Sequence, residues 1–135
     1  MKKILITGAS GFIGSHLNKT LKKKNYKTIP LGFNHIKNDL IKCDLLNKSK
    51  FENLLSDVEC IIHCAGYNNT SKSLSFKEEK KIWKNNYLVS KNLIKSAKNM
   101  NVKKFIFLSS SKVVKENSKQ KINENINPSP QTEYA

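Results

Sequence analysis

Short, nearly continuous apolar runs alternate along this chain with stretches in which apolar residues return every three or four positions. Lys3 to Thr7 is such a run, closed by Gly8, and its composition predicts a strand covered on both faces within a parallel sheet. Ile13, Leu17 and Leu21 follow at steps of four with lysines between them, which predicts an amphipathic helix. Thr28 to Leu31 reads as a second strand, in which Pro30 favours an edge or irregular position, and Leu40 to Cys43 as a short third. Phe51, Leu54 and Leu55 mark a brief helix, and Val58 to Cys64 a fourth strand. From about Lys80 to Met100 a longer helix is predicted by Ile82, Asn86, Val89, Leu93, Ala97 and Met100, spaced at three and four. Phe105 to Leu108 is the fifth strand. After Ser111 the chain turns to Lys, Asn, Glu, Gln and Ser, with Pro128 and Pro130 near its end, the composition of an exposed loop. No internal repeat is visible. Alternating strands and helices of these lengths predict a doubly wound α/β fold with right-handed crossovers.

The 135 residues have room for one ordinary domain. Ile4-Leu5-Ile6 is too short an apolar stretch for a secretory leader, and no apolar run is long enough to span a bilayer, so a cytoplasmic chain with no membrane partner is expected. Cys43, Cys60 and Cys64 lie in or beside apolar stretches without paired spacing; they read as reduced, small hydrophobes, with no metal site expected. The formal charge of +15 would ordinarily suggest a polyanion partner, yet all 25 basic residues are lysine. Arginine is the preferred reader of guanine edges and the bidentate partner of phosphate, so its absence argues against sequence-specific nucleic-acid recognition. The charge then reads as a solvated surface. Nonspecific polyanion binding is the alternative that rests on charge alone.

Three places carry candidate chemistry on the residues themselves. The turn Gly8-Ala9-Ser10-Gly11-Phe12-Ile13-Gly14 joins a predicted strand to a predicted helix, where a pyrophosphate can meet bare backbone and rest on the helix N-terminus. Gly8 would permit the tight turn, Gly11 the approach of phosphates, and Gly14 close packing of helix on strand. Asn86 stands in the apolar stripe of its helix, and a buried amide must find partners. Ser109 and Ser110 end a parallel strand, the edge at which doubly wound sheets bind ligands. His63 reads as a packed, hydrogen-bonded side chain before it reads as a catalyst.

The glycine spacing, T-G-x-x-G-x-x-G, resembles the extended short-chain dehydrogenase/reductase family, whose NAD-dependent epimerases and dehydratases act on nucleotide sugars. The likeness continues through Asp44-Leu45, His63-Cys64-Ala65-Gly66, Asn86 to Leu93, Val102 to Val113, and Pro128 to Ala135. It departs from the family pattern at Val89-Ser90, where Gly-Thr is usual, and at Val113-Val114-Lys115, where Val-Tyr-Gly is common. The resemblance implies a Rossmann-like doubly wound parallel sheet, truncated at its C-terminal side: residues 1–135 would be an incomplete NAD(P)-binding domain without its sugar-binding part. It implies cofactor contacts from Gly8, Gly11, Phe12, Ile13, Gly14, Asp44, Leu45, Cys64, Ala65, Gly66, Asn86 and Ser109, the Asp44 carboxylate accepting from the adenine amino group. A turn or cap aspartate is the other reading of Asp44.

Ser110 aligns with the catalytic serine or threonine and Tyr134 with the acid/base tyrosine. A free phenol ionises near about 10 and needs a nearby cation to act as a base at neutrality. In the family a lysine one helical turn later supplies it, and these residues stop at Ala135. The Ser-Ser-x-Lys-Val form is similar to bacterial members of surface-polysaccharide pathways. NAD is the expected cofactor, as in the family's sugar epimerases, with NADP possible: Gly32-Phe33-Asn34 follows the second strand where NAD-preferring members carry an acid, no arginine is present for a 2′-phosphate, and Lys37 is nearby, so weak discrimination is expected. The implied substrate is a nucleotide sugar, with a homodimer possible only for a complete chain. A catalytically silent NAD(P)-binding module is the alternative.

Overall fold

A computed structural model describes residues 3–33, 39–69, 74–114 and 121–135. Among the described residues five parallel strands form one sheet: β1 (Lys3–Thr7), β2 (Lys27–Gly32), β3 (Ile41–Lys42), β4 (Val58–His63) and β5 (Lys104–Phe107), in the order β3-β2-β1-β4-β5. Helix α1 (Phe12–Lys23) joins β1 to β2, and α2 (Lys48–Glu52) with a 3-10 turn (Asn53–Leu55) precedes β4. Between β4 and β5 run α3 (Phe76–Trp83), a π-helical turn (Lys84–Leu88) and α4 (Val89–Asn99). The chain winds outward from β1 to β3, then restarts at β4 on the other side of β1. Parallel strands wound in opposite directions from β1 make the fold Rossmann-like, with its switch point between β1 and β4.

Register explains the core. Leu5 stands opposite Ile61 and Ile61 opposite Phe105, so these residues share a face. There they meet Phe51 and Leu55 from the α2 segment and Val89, Leu93 and Ala97 from α4. Ile6 and Ile62, one residue along, are buried on the opposite face.

Three local expectations are corrected. The buried positions of α1 are Gly14 and Asn18, whereas Ile13 is 56% exposed. Gly14 has no side chain and lets the helix press its backbone against the glycine turn, which turns the Gly14–Asn18 line inward. Asn18 is satisfied there by the Thr28 hydroxyl, 2.7 Å away. Pro30 does not put β2 at an edge: it pairs with Ile6 of β1, and β3 begins to pair only at Leu31, so the missing N–H leaves no gap in that short ladder. The long helix is interrupted at Lys84–Leu88 by a turn in which the Val89 N–H reaches back to the Lys84 carbonyl, and Met100 at its end is exposed.

Candidate functional site

Gly8 has φ +65, and a Cβ there would lie 2.7 Å from the Ala65 backbone nitrogen, so only glycine fits. Gly14 would collide with the Gly8 carbonyl oxygen and stand 2.9 Å from the Ala9 Cα if it carried a Cβ. At Gly11 a Cβ would meet only the Gly8 oxygen, at 3.3 Å, so this exposed glycine is not demanded by internal packing. Gly8 and Gly14 therefore shape the turn, and Gly11 leaves its outer surface bare. The Gly11 N–H donates to the Gly8 carbonyl and the Ala9 N–H to Leu31, which fastens the turn to β2.

The turn borders a cleft of about 600 Å³ at the C-terminal ends of β1, β2 and β4. Its walls include Gly8, Ser10 and Gly11 on one side, Asp44 and Leu45 after β3, and Cys64, Ala65 and Gly66 after β4. Eight of the residues picked out by sequence are thus brought together: Gly8, Gly11, Asp44, Leu45, Cys64, Ala65 and Gly66 line the cleft, and Gly14 closes the turn behind it. Phe12 and Ile13 do not line it; Phe12 is 93% exposed at the start of α1. Ser109, Ser110 and Tyr134 also lie outside its lining. Ser110 is the N-cap of the 3-10 turn Ser111–Val113, its hydroxyl accepting from the Lys112 N–H at 3.2 Å. The Ser129 N–H donates to the Val113 carbonyl at 2.7 Å and so ties the segment leading to Tyr134 to that turn. Asn34, Lys37 and Lys115 fall outside the described residues.

Asp44 folds its own neighbourhood: one carboxylate oxygen accepts from the Leu46 N–H at 3.0 Å and its carbonyl accepts from Asn47. The turn reading is therefore real, and it leaves the second carboxylate oxygen available to the cleft it borders. Asn86 lies in the π-helical turn, half-buried, and grips the backbone of Tyr67 twice: its Oδ1 accepts from the Tyr67 N–H at 2.7 Å and its Nδ2 donates to the Tyr67 carbonyl at 2.8 Å. Around this wide turn two side chains add bonds to helical carbonyls that also accept backbone N–H groups, Asn85 Nδ2 donating to Lys81 O and Ser90 Oγ to Asn86 O. Asn86 thus sets the wall beyond Gly66 without lining the cleft.

Beneath that wall runs a chain of hydrogen bonds through His63, which is the packed, hydrogen-bonded side chain expected, although the sequence did not reveal its partners. His63 is 1% exposed, with Nδ1 at 2.6 Å from Thr7 Oγ1 and Nε2 at 2.9 Å from Ser90 Oγ. Ser90 spends its proton on a carbonyl, so it accepts from His63 Nε2–H; Nδ1 then accepts from the Thr7 hydroxyl, whose oxygen accepts from the Ala65 N–H at 3.1 Å. Both ends are backbone groups, which fixes every proton between them. Burial pushes the His63 pKa down to about 4, in keeping with a neutral ring. Ser90 fills the place of the family's threonine and keeps the hydroxyl, the one signal that could have pointed to this link.

The glycine cradle, the cleft and the free oxygen of Asp44 suit a dinucleotide. The three cysteines are free thiols, their pKa values raised chiefly by burial, and among the described residues no group of His, Cys, Asp and Glu is placed to hold a metal. No helix of the described residues is long and apolar enough to cross a membrane.

A profile of the NAD dependent epimerase/dehydratase family matches residues 4–135. The chain is 35% identical over 131 residues to dTDP-D-glucose 4,6-dehydratase of Dictyostelium discoideum, covering 84% of this chain and 30% of that protein. It is 29% identical to the decarboxylating sterol-4-alpha-carboxylate 3-dehydrogenase of Homo sapiens over 117 residues, covering 84% of this chain and 30% of the other. Among solved structures, UDP-glucuronic acid 4-epimerase from Bacillus cereus, in complex with UDP-glucuronic acid and NAD, superposes with a TM-score of 0.84 at 28% identity, over 98% of this chain and 47% of the epimerase. The chain thus spans about a third of the curated relatives and under half of the solved enzyme.

Proposed function

The chain belongs to the NAD dependent epimerase/dehydratase family, and from that premise we propose that it is the cofactor-binding half of an enzyme that modifies a nucleotide sugar by hydride transfer. The observation that carries this reading is the cleft at the β1–β4 switch point, lined together by the glycine turn, Asp44 and the Ala65-Gly66 backbone. The turn that Gly8 and Gly14 shape and Gly11 leaves bare would hold the pyrophosphate, Asp44 the adenine, and Cys64, Ala65 and Gly66 would supply the backbone along which the dinucleotide lies. NAD is the proposed cofactor; when bound it would accept and return a hydride. The sugar relatives above support a nucleotide sugar over a sterol as substrate.

Within the same reading, Ser110 would hold the reacting sugar oxygen and Tyr134 would take its proton. Isothermal titration with NAD and NADP tests the cofactor reading. A dissociation constant in the micromolar range that survives 0.3 M salt supports it. Absence of binding, or an affinity that collapses with salt as for any polyanion on a lysine-rich surface, overturns it.

A further inference from the structure

Lysine is abundant in this chain, yet among the described residues a single cation, Lys81, lines the cleft. Its ammonium is held in place. Lys81 Nζ donates to the Tyr67 hydroxyl at 2.9 Å and lies 4.2 Å from the centre of the Tyr67 ring. Tyr67 in turn donates to Glu78 Oε2 at 2.8 Å, and its backbone is clamped by Asn86. Glu78 is fixed at the start of α3, where its N–H meets the N-cap Ser75 hydroxyl, and Asn69 also donates to its carboxylate at 3.2 Å. The nearer Glu78 oxygen is 4.0 Å from Lys81, an ion pair too long for a hydrogen bond. An ammonium has three donors, so after Tyr67 two are left for a ligand.

The glycine turn, which lines the same cleft, leads into α1, whose first turn carries no acidic residue to neutralise its positive end. We propose that Lys81 is a phosphate-binding residue of this cleft, supplying from α3 the full positive charge that faces the glycine turn across a bound diphosphate. The inference rests on the cofactor reading above and adds to it a residue from outside the glycine motif. Freezing a lysine costs rotamer entropy, and here the Tyr67–Glu78 scaffold has met that cost before any ligand arrives. The hydrogen bond to the Tyr67 hydroxyl also raises the Lys81 pKa above its ordinary value, so the ammonium stays charged at neutral pH as a free lysine does.

The test compares ADP-ribose, which carries the diphosphate, with adenosine, which does not, titrated into the full chain by NMR shift perturbation. Lys81→Met is expected to weaken ADP-ribose about tenfold while leaving adenosine within about twofold, and Lys81→Arg to recover most of the loss. Tyr67→Phe, which removes the oxygen that holds the ammonium, should fall between. Unchanged ADP-ribose affinity in a folded Lys81→Met chain overturns the proposal and leaves the cofactor reading intact. Equal losses for both ligands would also overturn it, since a phosphate contact cannot weaken adenosine. Failure of the unaltered chain to bind ADP-ribose overturns both readings together.

Discussion

The Thr7 hydroxyl stands 2.6 Å from Nδ1 of His63, across the β1–β4 pair and 56 positions away in the chain. Because the hydroxyl proton goes to the ring, the Thr7 oxygen is free to accept from the Ala65 N–H. The neutral imidazole therefore helps to fix the backbone that walls the cleft.

Neutrality has a consequence for acid stability. The His63 pKa falls from 6.5 to about 4 on burial, so the unfolded chain binds this proton more readily than the folded one. The contribution is fully present above pH 6.5 and is lost as pH falls toward 4. Between pH 7 and pH 4.5 the chain should lose about 2–3 kcal/mol through this group, measured by urea unfolding. His63→Gln is expected to be less stable at pH 7 and to lack that slope. An equally steep loss in the variant would assign the effect to other groups.

The glycines separate shape from binding. Gly11→Val should leave the melting temperature within a few degrees, because the new side chain meets little inside the fold, and should block cofactor at the bare surface. Gly14→Ala drives a methyl into the Gly8 carbonyl and should cost about 1–3 kcal/mol of stability. Thermal melts with and without NAD distinguish the two. A Gly11→Val chain that still binds would remove the turn from the site.

The strands were legible to within about a residue because a parallel sheet buried on both faces demands unbroken apolar runs, as in Ile4-Leu5-Ile6 and Ile61-Ile62. The glycine turn was legible because backbone that must approach other backbone leaves no choice of residue. The inward face of α1 was not, since the position that decides it, Gly14, is marked by having no side chain, and apolar spacing pointed to Ile13. The π-helical turn was hidden for a similar reason: Ile82, Val89 and Leu93 keep plausible helical spacing through it. The Thr7–His63–Ser90 chain joins three elements, and no local pattern records such a meeting. Asn86 showed itself as a polar residue in an apolar stripe, though which backbone it would grip did not.

Asp44 both folds its turn and borders the cleft, so removing it mixes two effects. Asp44→Asn keeps an oxygen to accept the Leu46 N–H and gives up the charge. We expect Asp44→Asn to retain most of its stability while adenosine affinity falls by about 1.5–3 kcal/mol, the worth of a charge-assisted hydrogen bond. Asp44→Ala should lose both. Intact adenosine binding in a folded Asp44→Asn chain would leave Asp44 with the turn alone.

Asn86 presents Tyr67 with one acceptor and one donor, and no isosteric replacement offers both at neutral pH. Asn86→Ala should cost about 1–3 kcal/mol, since the Tyr67 N–H and carbonyl lose their partners in a half-buried place. Asn86→Asp keeps the acceptor for the N–H but sets a carboxylate oxygen where the donor was, facing the Tyr67 carbonyl. At pH 7 it should be at least as unstable as the alanine variant. Protonation returns a donor, an O–H that can reach the carbonyl, so that carboxyl gains a raised pKa on folding. Its stabilising protonated form is present below the unfolded pKa of about 4 and disappears as pH rises through the folded value. The gap between Asn86→Asp and the unaltered chain should therefore narrow as pH falls from 7 to 4, while the gap for Asn86→Ala stays level. Unfolding free energies at several pH values read both gaps directly, and parallel behaviour of the two variants would mean that the donor to Tyr67 does not matter.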